Sequence, residues 1–431
     1  MFEEITKEML KFIDNAPTCY HVVANMEEEL LNEGFEKLCE FEIWNLEMGK
    51  KYFVTRNGSS IISFKVPKDD FKAFLMTASH SDSPSFKIKE NPEMEVSDTY
   101  VRLNVEGYGG MLDAPWFDRP LSVAGRVFVK ESDNKIKCEL VNVDRDLLMI
   151  PSVAIHMNRE ANNGYKYNAQ NDMLPLFGDE KAKDKFFEII AENANVKKED
   201  IIGHDLFLYN RVESTTWGAN NEYISASRID DQECVYTTFK GFLLADSNTH
   251  LLLHCVFDNE EVGSGTKQGA ASTFLKDTLE RIMESFGKTK QQYHACLSKS
   301  FMLSADNAHA LHYNHTDKAD PINKPKMNGG IVIKYNANQK YTTDGASAAM
   351  FRYILDKENI PYQTFTNRSD MAGGSTLGNI SNTQVALNTV DIGLAQLAMH
   401  SPYETAGSKD PYYMALASKA FYESDIDIEN V

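Results

Sequence analysis

The chain has 431 residues, 42% hydrophobic and 25% charged, enough for a large core in roughly two or three domains, and its 24 Gly and 13 Pro exclude a disordered or collagenous chain. Its 44 Lys and Arg against 63 Asp and Glu leave a net charge of −19, a field that repels nucleic acid and anionic membrane surfaces. Six scattered cysteines without a CxxC spacing, no apolar run near the ~18 residues of a membrane span, and an acidic start unlike a signal peptide lead us to expect a cytoplasmic protein with reduced thiols.

Phe2, Ile5, Met9, Phe12 and Ile13 recur at helical period, so a helix is expected near 2–14. A second should run through HVVANMEEELLNEG and stop at Gly34. KKYFVTR, SSIISFKV and FKAFLMTASH then read as strands, the last ended by HSDSP. From about Glu90 to Asn220, TYVRLNVEG, LSVAGRVFVK and KIKCELVNV alternate as antiparallel strands do, followed by a charged helical piece, EKAKDKFFEIIAENA. After Ile224 helices alternate with buried strands in HLLLHCVFDNEE, SKSFMLSAD, GGIVIKYN and TQVALNTV. That alternation predicts an α/β fold with a sheet packed on both faces. The expected division is one α/β domain in two parts, 1–90 and 225–431, interrupted by a β-rich insert at 91–224. His80 and Asp230 can share a site only if the chain between them is largely a separate lobe, because a parallel crossover needs only about a dozen residues.

Asp258-Asn259-Glu260-Glu261 follows the apolar strand LLLHCVF and precedes glycines. Strand ends of this kind face the ligand crevice of open α/β sheets, where one glutamate can bind a metal while its neighbour stays free as a base. Alone, the motif fits a solvated acidic turn better. His80-Ser81-Asp82 puts imidazole and carboxylate on one side of an extended segment, so Asp82 can fix the tautomer of a metal-binding His80; alone it fits a hydrogen-bonded surface pair. Asp230, Asp306 and His400 also read as ending strands. Together these groups predict a site with oxygen and imidazole ligands, suited to Zn, Mn or Co and lacking the thiolates of a structural zinc. Gly263-Ser264-Gly265 and Gly269 miss the dinucleotide fingerprint by one residue. His309, His312 and His315, three apart, fit one face of a helix in a capping or supporting role. No GxSxG elbow occurs.

In order, FIDNAPTCYHVV, TASHSDSPSFKIK, WFDRPLSVAGRV, IPSVAIHMNRE, SRIDDQE, FDNEEVGSGTKQGA, SADNAHALH, IVIKYNANQKYTT, MAGGSTLGNISN and DIGLAQLAMHSPYE resemble the aspartyl aminopeptidase/aminopeptidase I family, metallopeptidase family eighteen. The resemblance implies a mixed central sheet flanked by helices, two divalent metal ions per subunit (zinc first, Mn or Co next) and release of N-terminal amino acids from peptide substrates. It also implies a homo-oligomer, commonly a dodecamer built from dimers, with the insert making subunit contacts. Asp230 is similar to the carboxylate bridging both metals, His80 and Asp306 complete one metal site, and Glu261 and His400 the other. Glu260 matches the general base and Asp82 the acid that orients His80. His156 matches a histidine that reaches a neighbouring subunit's active site. Lys334 and Gly374-Ser375-Thr376 fall in segments that line the substrate pocket. Gly373 and Lys340 depart from the family's common cysteine and arginine. For a preference for acidic N-terminal residues, Lys334 is the available local cation; a structural lysine paired with a carbonyl or carboxylate is the other reading. A related two-metal deacylase or dipeptidase and a non-catalytic assembly protein are the alternative functions.

Overall fold

The computed structural model describes residues 2–425; Met1 and the last six residues of the 225–431 part lie outside the described residues. The apolar positions of the first segment form the helix Phe2–Asp14, which buries Ile5, Met9, Phe12 and Ile13. The second helix, Cys19–Asn32, ends before Gly34, whose φ of +79° suits a residue without Cβ.

Nine strands make the main sheet, in the order Glu36–Leu38, Lys51–Arg56, Ser60–Lys65, Leu251–Phe257, Phe74–His80, Phe301–Ala305, Asn388–Gly393, Ile331–Tyr335, Tyr362–Thr366. It is mixed: Phe74–His80 runs parallel to both neighbours, whereas Leu251–Phe257 pairs antiparallel with Ser60–Lys65. Side chains alternate across it, so both faces need cover. Leu252 and Val256 join one core with the helices Ile229–Leu244, Gly345–Lys357 and Asp410–Tyr422; Leu251, Leu253 and Cys255 join another with Phe274–Ser285.

A separate six-stranded antiparallel sheet is ordered Lys135–Asn142, Leu121–Ser132, Ile201–Asn210, Ser85–Val96, Tyr100–Tyr108, Leu176–Asp179. None of its strands enters the main sheet, and it has its own core around Phe86, Trp116, Val127 and Leu206. It begins at Ser85, ahead of the expected boundary at 91. Thr215–Trp217 pairs instead with Tyr223–Ala226, and that strand with Glu404–Gly407, in a small third sheet. Among the described residues no helix is long and apolar enough to cross a membrane.

Candidate active site

Three adjacent parallel strands, Leu251–Phe257, Phe74–His80 and Phe301–Ala305, end at one edge of the main sheet. Their register pairs Phe257 with His80, so His80-Ser81-Asp82, Asp258 to Glu261, and Asp306 emerge together. Carboxyl ends of such strands form the crevice of open α/β sheets. Asp230 and His400 arrive from elsewhere. Contrary to the sequence expectation, Asp230 does not end a strand: it lies in the first turn of the kinked helix Ile229–Leu244, beyond the strand Tyr223–Ala226. His400 follows Ala395–Leu397 in a turn with φ +65°.

The Asp230 carboxylate sits between the two histidines. Its Oδ1 is 3.6 Å from His80 Nε2 and its Oδ2 3.4 Å from His400 Nε2. His400 Nε2 is also 3.3 Å from Glu261 Oε2. Three overlapping ligand groups result: His80 with Asp230, Asp231 and Asp306; His80 with Glu260 and Glu261; and Asp230 with Glu261 and His400, the donor atoms of each group within 4.8 Å of one another.

Backbone and side-chain bonds hold these groups. Glu404 accepts the N–H of Asp230 at 2.9 Å and that of His400 at 2.7 Å, so one buried carboxylate braces both. Asp231 accepts the His80 N–H at 3.1 Å. Asp82 accepts the N–H groups of Glu260 and Glu261, each at 3.1 Å, and its Oδ1 lies 3.4 Å from His80 Nδ1, while its carbonyl is 3.0 Å from the same nitrogen.

The electrostatics are those of crowded acids. Burial, with Asp306 and Glu261 adding repulsion, pushes Glu260 up to about 8. Burial and the nearby Asp230 push Glu261 up to about 7. Burial also raises Asp306. Against burial, the neighbouring Asp230 and Glu261 carboxylates raise His400 to about 11, and the neighbouring His400 and His80 rings hold Asp230 below its usual range. Asp230 Oδ1 and Glu261 Oε1 are buried without a hydrogen-bond partner. Buried carboxylate oxygens that lack donors and crowd one another fit a cation, and the mixed carboxylate and imidazole set fits zinc.

The surrounding cleft, about 340 Å³, is lined by His80, Asp230, Glu260, Glu261, Asp306, His400, Lys334 and the Gly374-Ser375-Thr376 turn. Lys334 presents no free cation there. Its buried ammonium donates to the carbonyls of Asp306 at 2.7 Å and Asn307 at 3.2 Å, and lies 3.6 Å from Asp306 Oδ1. His156 is not among the lining residues; it lies exposed in a turn of the loop after Ile150. His309, His312 and His315 share no helix: His309 ends the short strand Ala308–His309 and lines the cleft, whereas His312 and His315 lie in turns beyond it. Sequence reasoning missed Asp231, Asn307, Tyr341, Phe365, Met399 and Glu404. Asp231, Asn307, Tyr341, Met399 and Glu404 lie within the quoted motifs, and that adjacency was their one signal; Phe365 lies outside them and is placed by packing.

The family profile described as aminopeptidase I zinc metalloprotease (M18) matches residues 12–422. The chain is 44% identical, over 97% of its length and 98% of the relative's, to a probable M18 family aminopeptidase 2 of Clostridium acetobutylicum. Among solved structures it resembles that of the Ape4 and Nbr1 complex, with TM-score 0.94 and 33% identity over 98% of this chain and 86% of that one. It also resembles the S. cerevisiae mApe1 dodecamer, with TM-score 0.86 and 28% identity over 98% and 97%. The chain therefore belongs to the M18 family of zinc metalloaminopeptidases.

Proposed function

We propose that this aminopeptidase works with two divalent ions per subunit, zinc or in its place Mn or Co, held by His80, Asp230 and Asp306 on one side and by Asp230, Glu261 and His400 on the other. The observation that carries this reading is the Asp230 carboxylate, with one oxygen toward each histidine. When bound, such a pair polarises a scissile carbonyl and lowers the pKa of water. Glu260 takes the water's proton and passes it to the departing amine. Asp82 holds the Glu260-Glu261 turn by its two N–H groups and orients the His80 ring. The free α-amine of a peptide would ligate one of the ions, which supports removal of N-terminal residues and disfavours blocked peptides.

The unit we place at 91–224 makes subunit contacts and carries His156 to a neighbour's cleft, within a dodecamer built from dimers. Its own sheet, the exposed Val153, Ile155 and Met157 flanking His156, and the mApe1 dodecamer support that reading. Six free cysteines, four of them buried, support a cytoplasmic setting.

Metal content and kcat of two variants test the assignment. Glu260→Gln keeps both ions and loses ~10²–10⁴-fold in kcat, the usual contribution of a general base. Glu261→Gln loses one ion, because a neutral amide is a poorer ligand, and added zinc restores part of its activity. Exchanged metal contents would reverse the two roles, and full activity in both variants would end the two-metal reading.

A further inference from the structure

We propose that residues 108–112, where the strand Tyr100–Tyr108 leaves the separate six-stranded sheet, form a strap that positions the metal-site side chains, with Tyr108 as its positioning residue. This rests on the ligand set proposed above.

Tyr108 lies directly across from Ser85 in the antiparallel pairing, which returns the chain to Asp82 although 26 positions separate the two. Phe207, from Ile201–Asn210 in the same sheet, meets the Tyr108 ring edge-on with centroids 5.7 Å apart. The hydroxyl donates to Asp82 Oδ2 at 2.7 Å and accepts from Asn259 Nδ2 at 2.8 Å. Asp82 is the same carboxylate that accepts the Glu260 and Glu261 N–H groups and faces His80. Tyr108 therefore anchors the anchor.

The next residues repeat the pattern. Gly109, at φ +75°, passes so close to Glu261 that a Cβ there would lie 3.1 Å from the Glu261 Cβ. Leu112 donates its N–H to the His400 carbonyl at 3.1 Å. Within five residues the strap touches the segments that carry His80, Glu261 and His400, which share no local sequence. Gly109 and Leu112 lie past the end of their strand, so these two contacts contribute nothing to closing the six-stranded sheet. They join the end of that sheet to the metal-site segments.

Zinc affinity of the full-length assembled protein, stripped with a chelator and titrated against a competing indicator, tests the strap. Tyr108→Phe keeps the ring and its Phe207 contact but removes the hydroxyl. It should weaken zinc binding several-fold and by no more than about 10-fold, because it acts one step behind Asp82, and 10-fold is the low end of what losing a ligand's direct hydrogen-bonded support costs. In an Asp82→Asn background the same change should add less than about two-fold, because its route is already broken. Unchanged affinity in Tyr108→Phe, or a full second loss in the Asp82→Asn background, would overturn the strap. If Tyr108→Phe fails to assemble, Phe207→Leu is read instead: it loosens the ring without removing the hydroxyl, and an affinity equal to the parent's overturns the strap as well. Glu261→Gln measured alongside separates the two levels. A variant that still binds its full zinc shows that the ligand set is wrong, whatever Tyr108 does.

Discussion

Replacing Lys334 by Met tests whether this cation serves the fold or the substrate. The side chain keeps its length and loses its charge, leaving the Asp306 and Asn307 carbonyls without their donor and the Asp306 carboxylate without its lysine neighbour. At an effective dielectric constant of about 20, opposite charges 3.6 Å apart attract by roughly 5 kcal/mol. Part of that offsets the desolvation of a fully buried ammonium, and removing one partner of a buried pair costs about 3–5 kcal/mol. At 1.4 kcal/mol per decade, local opening should rise by roughly two to three and a half decades. Unfolding of a large oligomer is commonly irreversible, so amide exchange is the better assay. Exchange should accelerate in Ile331–Tyr335 and Phe301–Ala305, the strands that carry Lys334 and end beside Asp306. The ratio of turnover on acidic and neutral N-terminal residues should hold while overall activity falls. Unchanged exchange with a selective loss of acidic substrates would refute the reasoning and place Lys334 against the substrate.

Subunit mixing checks His156. If it acts in a neighbour's cleft, His156→Ala and Glu260→Gln subunits, each nearly inactive alone, should regain part of the activity when co-assembled, and no recovery would place His156 outside the partner's site. Asp410 gives a pH test away from the metal groups. It is fully buried at the start of the helix Asp410–Tyr422, accepts the N–H groups of Asn328 and Gly330, and burial pushes it up to about 7. A raised folded pKa means that its contribution to stability is whole below the unfolded value near 4 and is lost as pH rises through 7. The unfolding temperature should therefore drop between about pH 5 and 7 and level off above, and Asp410→Asn, which cannot ionise, should flatten that drop; an identical slope in the two proteins would refute it.

Much of this protein was legible in its sequence because burial imposes local periods. Phe2 to Ile13 carry the helical stripe that becomes Phe2–Asp14, and LLLHCVF, buried on both faces, becomes a central strand. His80, Glu260, Glu261 and Asp306 were visible for the same reason, since each closely follows an apolar strand whose end must open into the crevice. Family membership was carried by ten separate segments whose order constrains the whole chain. Other features depend on distances through space, which no local pattern encodes. The kink that brings Asp230 between two histidines, Glu404 bracing Asp230 and His400 at once, and Tyr108 reaching Asp82 across a hairpin all join residues far apart in the chain. The Lys334 ammonium illustrates the limit best: its sequence allowed both a substrate cation and a structural one, and only the position of the Asp306 and Asn307 carbonyls turned it inward. Composition and period determine which segments are buried, but which polar atom meets which is decided when the sheets and loops pack together.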